Sequence, residues 1–362
     1  MKITLVAGAR PNFIKISPII RAIEKAKLLG NDIHYRLVHT GQHYDDAMSL
    51  SFFRDLNIPL PDTNLNAGSG TQAEQTAAIM IAFEKELKSN PVDLVLVVGD
   101  VTSTMACAIV AKKMNVRVAH VEAGIRSGDR TMPEEINRIV TDSITDYFFT
   151  TTEHAGENLI TCGVPQERIF FVGNTMIDTL VANMDRLFKP SILKDQNIEE
   201  GNYLLLTLHR PSNVDDENIL KNILNAIARA ANGLPIIFPV HPRTRKILHG
   251  ITLSPLFVLT DAIRYLEFMY LVKKSKAVIT DSGGIQEETT FLNVPCITLR
   301  NNTERPETVT IGTNELIGSS PDKIEQAVAK LLDGKWKAGS IPSLWDGQTS
   351  ERIVKNILEI YR

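Results

Sequence analysis

Short apolar runs rich in Val, Ile, Leu and Phe recur along the chain, separated by longer stretches whose apolar residues return at helical spacing. In the first half the runs are ITLVAG, HYRLVHTG, DLVLVVGD, VRVAHVEAG, DYFFTT and RIFFVGN; in the second they are YLLLTLH, PIIFPVH, LFVLT, KAVITDSGG and PCITLR. Unalternated runs of this kind predict strands buried on both faces, as in a parallel sheet wrapped by helices. The pattern therefore predicts an α/β protein of two successive units. Polar residues from Lys189 and Pro190 through Glu200 interrupt it near the border. The division expected is 1–175 for the first domain and 176–347 for the second. After Asp346-Gly347, the segment SERIVKNILEIYR has apolar residues at helical spacing, which predicts a closing helix over 348–362 packed on one of the domains.

Composition narrows the function classes. At 362 residues the chain exceeds what one compact core usually holds, which agrees with two domains. With 43% apolar and 22% charged residues, and no window of the apolar length that crosses a bilayer, a membrane-spanning protein is excluded. MKITLVAGARPNF reads as a strand running into a turn, not a cleavable signal, so a cytoplasmic location is expected. The formal net charge of −3, without a long basic block, gives no footprint for nucleic acid or an anionic membrane surface. Cys107, Cys162 and Cys296 lie far apart with no paired spacing. They are expected to be buried fillers, with no disulfide framework and no metal site.

In open parallel sheets, ligands bind beyond the carboxyl ends of the strands. Read there, the chain offers Gly8-Ala9-Arg10-Pro11, Gly41-Gln42-His43, Gly99-Asp100, Glu122-Ala123-Gly124, His209-Arg210, His241-Pro242-Arg243 and Asp281-Ser282-Gly283-Gly284. Five histidines, His39, His43, His120, His209 and His241, fall at or just past such ends. Any one of them alone is more often satisfied by backbone partners than functional; their shared location favours a site. The strongest local signal is KAVITDSGGIQEETTF, a buried strand, a small glycine-containing turn and a helical pattern. Bare backbone at Ser282, Gly283 and Gly284, together with the positive end of the helix, suits a phosphate group. Glu288, about one turn further on, could accept hydrogen bonds from a ribose diol, or could merely complement the helix dipole. Arg10, Lys15, Arg210, Arg243 and Arg305 supply cations near these loops, and guanidinium forks suit diphosphate oxygens.

Asp100 and Glu122 end strands that read as buried, an expensive place for an unpaired carboxylate and one that raises its proton affinity. Both are candidate acid/base groups; the bland alternative is a structural carboxylate paired with Arg or backbone amides. Glu134 sits in Thr131-Met132-Pro133-Glu134-Glu135. There Thr131 and Glu134 match a capping box and Arg138 lies four residues on, so capping and an ion pair compete with a catalytic role.

Taken together, GARPNFIK, GQH, HVEAGIRSGD, MPEEINRI, VGNTMID, TLHR, PVHPR, TDSGGIQEE and TERPE resemble the signature series of the non-hydrolysing UDP-N-acetylglucosamine 2-epimerases, in that family's order and over nearly the whole chain. The resemblance implies two Rossmann-like domains in a glycosyltransferase-B-like arrangement, an active site in the interdomain cleft, a final helix returning to the first domain, and a homodimer. It implies that UDP is held by residues matching His241, Arg243, Phe268, Ser282, Gly283, Gly284, Glu288 and Arg305, with Phe268 stacking on uracil. It attributes catalysis to Arg10, Lys15, Asp100, Glu122, Glu134 and His209, with Gln42 and His43 near a possible allosteric sugar site. No cofactor and no metal are implied.

A proton on C2 of a pyranose is not acidic, so inversion there needs oxidation next door or expulsion of the neighbouring substituent. Gly8-Ala9-Arg10-Pro11 lacks the G-x-G-x-x-G turn of nicotinamide enzymes, which argues for elimination of UDP to a 2-acetamidoglucal and its re-addition. Tyr44 and Asp45 stand where many family members carry Arg, and Ser212 replaces the usual Glu. GQHYD and RTMPEEINR look more like a branch acting on UDP-2,3-diacetamido-hexuronic acids. A hydrolase or glycosyltransferase on the same scaffold and a non-catalytic UDP-sugar sensor are the competing readings.

Overall fold

The computed structural model describes residues 1–41, 53–68 and 70–362. It separates into two compact units, one formed by Met1–Ala182 with Ser343–Arg362 and the other by Asn183–Pro342. The first unit extends past position 175 to take in most of the helix Thr175–Asn183, because that helix is bonded to the first unit: the Thr179 hydroxyl donates to the carbonyl of Ile14 at 2.6 Å.

The first unit holds a seven-stranded sheet in the order β3-β2-β1-β4-β5-β6-β7. Its strands are β1 (Lys2–Ala7), β2 (His34–His39), β3 (Thr63–Asn64), β4 (Leu94–Val98), β5 (Arg117–Val121), β6 (Tyr147–Thr150) and β7 (Ile169–Phe171). All the pairings are parallel. Both faces of β4 are buried, as its unbroken LVLVV run requires. One face packs Val95 and Val97 with Phe83, Leu87 and the small residues of the helix Thr102–Lys113.

The second unit repeats the plan with six strands in the order β10-β9-β8-β11-β12-β13, again all parallel. These are β8 (Leu204–Thr207), β9 (Ile236–Pro239), β10 (Phe257–Thr260), β11 (Ala277–Thr280), β12 (Cys296–Thr298) and β13 (Asn314–Leu316). In both sheets the order reverses beside the first strand, between β1 and β4 and between β8 and β11. Crossover connections leave toward opposite faces at such a point, which opens a crevice outside the carboxyl ends.

The closing helix, Thr349–Ile360, belongs to the first unit and is anchored at its start. The buried carboxylate of Asp178 accepts the amides of Thr349 (3.0 Å) and Ser350 (2.6 Å), two of the amides that a helix start leaves without internal partners. Just upstream, Trp345 is fully enclosed and donates its indole N–H to the carbonyl of Thr151 at 3.2 Å.

No helix among the described residues is long and apolar enough to cross a membrane. Cys107 and Cys296 are buried as expected, but Cys162 is exposed. It follows the last residue of the helix Glu153–Thr161, where the chain turns outward.

Candidate active site

At the switch point of the first sheet, the chain leaves β1 and turns through Gly8 and Ala9 into the helix Arg10–Leu28. Asn12 closes the turn. Its Oδ1 accepts the amides of Gly8 (3.2 Å) and Ala9 (3.0 Å), and its Nδ2 donates to the carbonyl of Val98 at the end of β4 (3.0 Å). The amides that cradle a pyrophosphate in a dinucleotide-binding turn are thus taken by the protein's own side chain.

Lys15, buried on the same helix, donates to Glu122 Oε2 at 2.5 Å, and the Glu122 side chain is only 2% exposed. Glu122 follows β5 with φ of 70°, a left-handed conformation that costs a non-glycine residue about 1–2 kcal/mol. Gly99 also has a φ of 70°, and a Cβ there would lie 3.3 Å from Lys15 Nζ and 3.5 Å from Glu122 Oε2. The ion pair therefore lies against bare backbone, and a side chain at position 99 would be strained by its left-handed φ and would crowd the lysine tip.

Asp100, next in the chain, is half-buried, with its side chain 26% exposed, less enclosed than the sequence suggests. Arg138 holds it, donating from Nη2 to Asp100 Oδ2 at 2.5 Å and from Nη1 to Glu135 Oε2 at 2.9 Å. Asn137 donates to the Asp100 carbonyl at 2.8 Å. Glu135 also accepts the amides of Ser127 (2.9 Å) and Gly128 (3.2 Å). Burial works to raise its pKa, but the Ser127 amide and the Arg138 guanidinium outweigh it and hold the carboxyl below the usual range.

These contacts overturn the bland reading of Glu134. Thr131 bonds to Asp129 instead of capping, the helix Pro133–Ile144 starts from Met132 with no side-chain cap, and Arg138 pairs with Asp100 and Glu135. Glu134 is left exposed in the first turn of that helix, as Arg10 is in the first turn of its own.

Two strand-end histidines are structural. His39 stacks on Phe13 and accepts the Gly41 amide at 2.7 Å. His120 is fully enclosed, with Nδ1 2.7 Å from Asp142 and Nε2 2.8 Å from the Gly99 carbonyl. Gln42 and His43 lie outside the described residues.

In the second unit, Asp281 organises the ends of β8 and β11. Fully buried, it accepts the amides of His209 (3.1 Å) and Arg210 (3.0 Å), the Asn213 amide group (3.0 Å) and His209 Nδ1 (2.8 Å). Burial opposes its ionisation, yet the His209 side chain and these other donors keep its pKa below the ordinary value. His209 itself is exposed, and with Nδ1 engaged, Nε2 is the nitrogen it can turn to a ligand.

Ser282 caps the helix Gly283–Phe291 with backbone only, leaving the first amides of the helix to other acceptors. A Cβ on Gly283 would come within 2.7 Å of Glu304 Oε1, so a side chain there would have to displace that carboxylate. Glu288 is buried, accepts the Tyr265 hydroxyl at 3.0 Å, and has its pKa raised to about 8 by burial, with adjacent Glu287 adding to the rise. Tyr265 opens the helix Tyr265–Lys274, and half-buried Phe268, three residues on, shares its side of that helix. Arg305 turns inward, its Nε 2.5 Å from Glu287. His241 is exposed just past β9, and Arg243 lies in the helix Pro242–Leu248.

The structure thus groups Lys15, Asp100 and Glu122 at the first switch point, and His209, the Ser282–Gly284 turn and Glu288 around the second sheet. Sequence reasoning missed Asn12, Arg138, Asp281 and Tyr265 as their supports. Only Asp281 carried a local signal, as the acid that ends β11 ahead of the glycine turn.

A family model described as UDP-N-acetylglucosamine 2-epimerase matches residues 26–358. The UDP-N-acetylglucosamine 2-epimerase of Methanocaldococcus jannaschii is 44% identical, over 98% of each chain. A crystal structure of that organism's enzyme, in complex with UDP-GlcNAc and UDP, superposes with a TM-score of 0.89 over 99% of this chain and 100% of the other. The UDP-2,3-diacetamido-2,3-dideoxy-D-glucuronate 2-epimerase of Pseudomonas aeruginosa is 38% identical, over 99% of this chain and 100% of its own. The chain belongs to the UDP-N-acetylglucosamine 2-epimerase family.

Proposed function

We infer that the protein is an isomerase that inverts C2 of a UDP-2-acetamido sugar, interconverting UDP-GlcNAc and UDP-ManNAc. Family membership over nearly the whole chain carries this reading, and the buried Lys15–Glu122 pair beside Asp100 supports it chemically.

A carboxylate takes the proton from C2 as the C1–O bond to UDP breaks, leaving a C1=C2 double bond in a 2-acetamidoglucal. A diphosphate oxygen of UDP then re-forms the bond at C1 while a proton returns to C2 on the opposite face. Nothing is oxidised overall, and no water is consumed. Asp100, Glu122 and exposed Glu134 form the acid/base pool, with Lys15 and Arg10 as cations beside them. The same reading names acid/base groups in the first unit and nucleotide-holding groups in the second. For the latter it assigns the Ser282–Gly284 helix start and His209 to the diphosphate, on which most of the negative charge develops. It gives Glu288 to the ribose and Phe268 to the uracil, with His241, Arg243 and Arg305 as further UDP ligands and a homodimer as the working form.

The similarity to the diacetamido-glucuronate 2-epimerase, with the GQHYD and RTMPEEINR segments, favours a second substrate, the UDP-2,3-diacetamido-hexuronic acid. Proton NMR of parallel reactions in heavy water tests both. The expected result is deuterium at C2 and a second epimer from one substrate. Free UDP with free sugar would point to a hydrolase, and binding without exchange to a sensor.

A further inference from the structure

Within the first unit, a cavity of about 670 Å³ opens beside the helices Pro133–Ile144 and Glu153–Thr161. That volume falls in the range of small-molecule sites. Three arginines line it, Arg126, Arg130 and Arg168, around an apolar lining that exposes Ile139 and Val164, backed by the buried Phe148 and Leu159. Arg126 is spent on Asp142, with Nη1 at 2.6 Å. Arg130 and Arg168 are exposed, and neither pairs with a carboxylate among the described residues. The two acids of the lining, Glu135 and Asp142, are already held from within the protein. The cavity therefore offers uncommitted positive charge above apolar surface.

Those two acids also connect the cavity to the candidate active site. Glu135 shares Arg138 with Asp100. Asp142 holds His120, whose Nε2 bonds the carbonyl of Gly99, the residue against which Lys15 and Glu122 lie.

We propose that this cavity is a second ligand site, taking a small organic anion whose phosphate, sulfonate or carboxylate head pairs with Arg130 and Arg168 while its apolar body covers Ile139 and Val164. Its occupation is coupled to turnover through Glu135–Arg138–Asp100 and Asp142–His120–Gly99. The coupling rests on the epimerase reading; the site itself does not.

The test uses phenyl phosphate as the probe and calorimetry with UDP saturating, so that the nucleotide site is filled. One equivalent should bind per chain, more weakly as salt rises. The affinity should drop at least about tenfold in the Arg130→Gln, Arg168→Gln double variant, the scale of a lost charge-assisted hydrogen bond. Ile139→Trp should fill the cavity and abolish binding. Saturating phenyl phosphate should change the epimerisation rate of the wild-type protein but not of the double variant, whose basal rate stays that of the wild type. Failure to bind, displacement by UDP, or equal affinity in the double variant would overturn the site. An unchanged rate at full occupancy would overturn the coupling alone. If no epimerisation is found with any substrate, the calorimetric arms still decide the site.

Discussion

Lys15 and Glu122, 107 positions apart in the chain, meet at 2.5 Å with both side chains nearly closed to solvent. Two charges withdrawn from water are tolerable only because each compensates the other, so removing one leaves the other stranded at a cost of about 3–5 kcal/mol. Lys15→Met should therefore lower both the melting temperature and the turnover. Glu122→Gln keeps the shape and a hydrogen-bond acceptor for the lysine. Its melting temperature should fall as well, because the Lys15 charge loses its counter-charge, but the folded protein should bind UDP with little change while turnover falls by about a hundredfold or more, the scale of a lost acid/base group. Calorimetric melting, UDP titration and the heavy-water assay together check this; retained turnover in Glu122→Gln would remove Glu122 from the acid/base pool.

Arg138 acts at one remove. Its two terminal nitrogens tie Asp100 to Glu135, and a lysine can supply the charge but not the fork. Arg138→Lys should lower kcat about tenfold or more with a smaller change in KM, as expected for a lost orientation of the reacting group. Asp100→Asn should lower kcat further, and the double variant should be no slower than Asp100→Asn alone. Additive losses would show that Arg138 does not work through Asp100.

The parallel sheets were legible because an unalternated apolar run of four or five residues between turns fits little besides a strand buried on both faces. β3 and β13 escaped notice: two and three residues long, TN and NEL, they carry no apolar run and are strands only because a neighbouring strand supplies the ladder. The site was legible in its chemical groups but not in its supports. Arg138 lies 38 positions from Asp100, and Asp281 lies 72 from His209, so no local spacing reports either contact. The reading of Thr131 and Glu134 failed on register: the helix starts from Met132, so Glu135 and not Glu134 stands at its third position, and the Thr131 hydroxyl donates to Asp129 outside the helix.

Asp178 ties the closing helix to the first unit through the amides of Thr349 and Ser350. Burial raises its pKa in spite of those bonds, so the position already carries a desolvation cost that the bonds offset only in part. Asp178→Ala would leave buried helix-start amides without acceptors, at about 1–3 kcal/mol. The expected outcome is a lower melting temperature and faster amide exchange confined at first to Thr349–Ile360. Uniform exchange across the unit would mean that the helix is not anchored here.

Glu288 gives a pH dependence whose sign follows from its environment. Burial, with Glu287 beside it, lifts its pKa from 4.5 to about 8, so in the folded protein it stays protonated while the unfolded chain has already released the proton. Between about pH 5 and 8 the folded state binds more protons than the unfolded one, and stability falls as pH rises, by at most about 1.4 kcal/mol per pH unit from this group. Below that window both states are protonated and the full contribution is present; above it the contribution is gone. Glu288→Gln should flatten this slope relative to the wild type in denaturant titrations across the window. An ionised Glu288 can accept both ribose hydroxyls of UDP, whereas its neutral form spends one oxygen on its own proton. UDP affinity should then climb from pH 7 to 9 in the wild type and stay level in Glu288→Gln. An affinity that is flat in both would rule out the ionised carboxylate as the ribose acceptor, and one that falls with pH in the wild type alone would make Glu288 a donor in its neutral form.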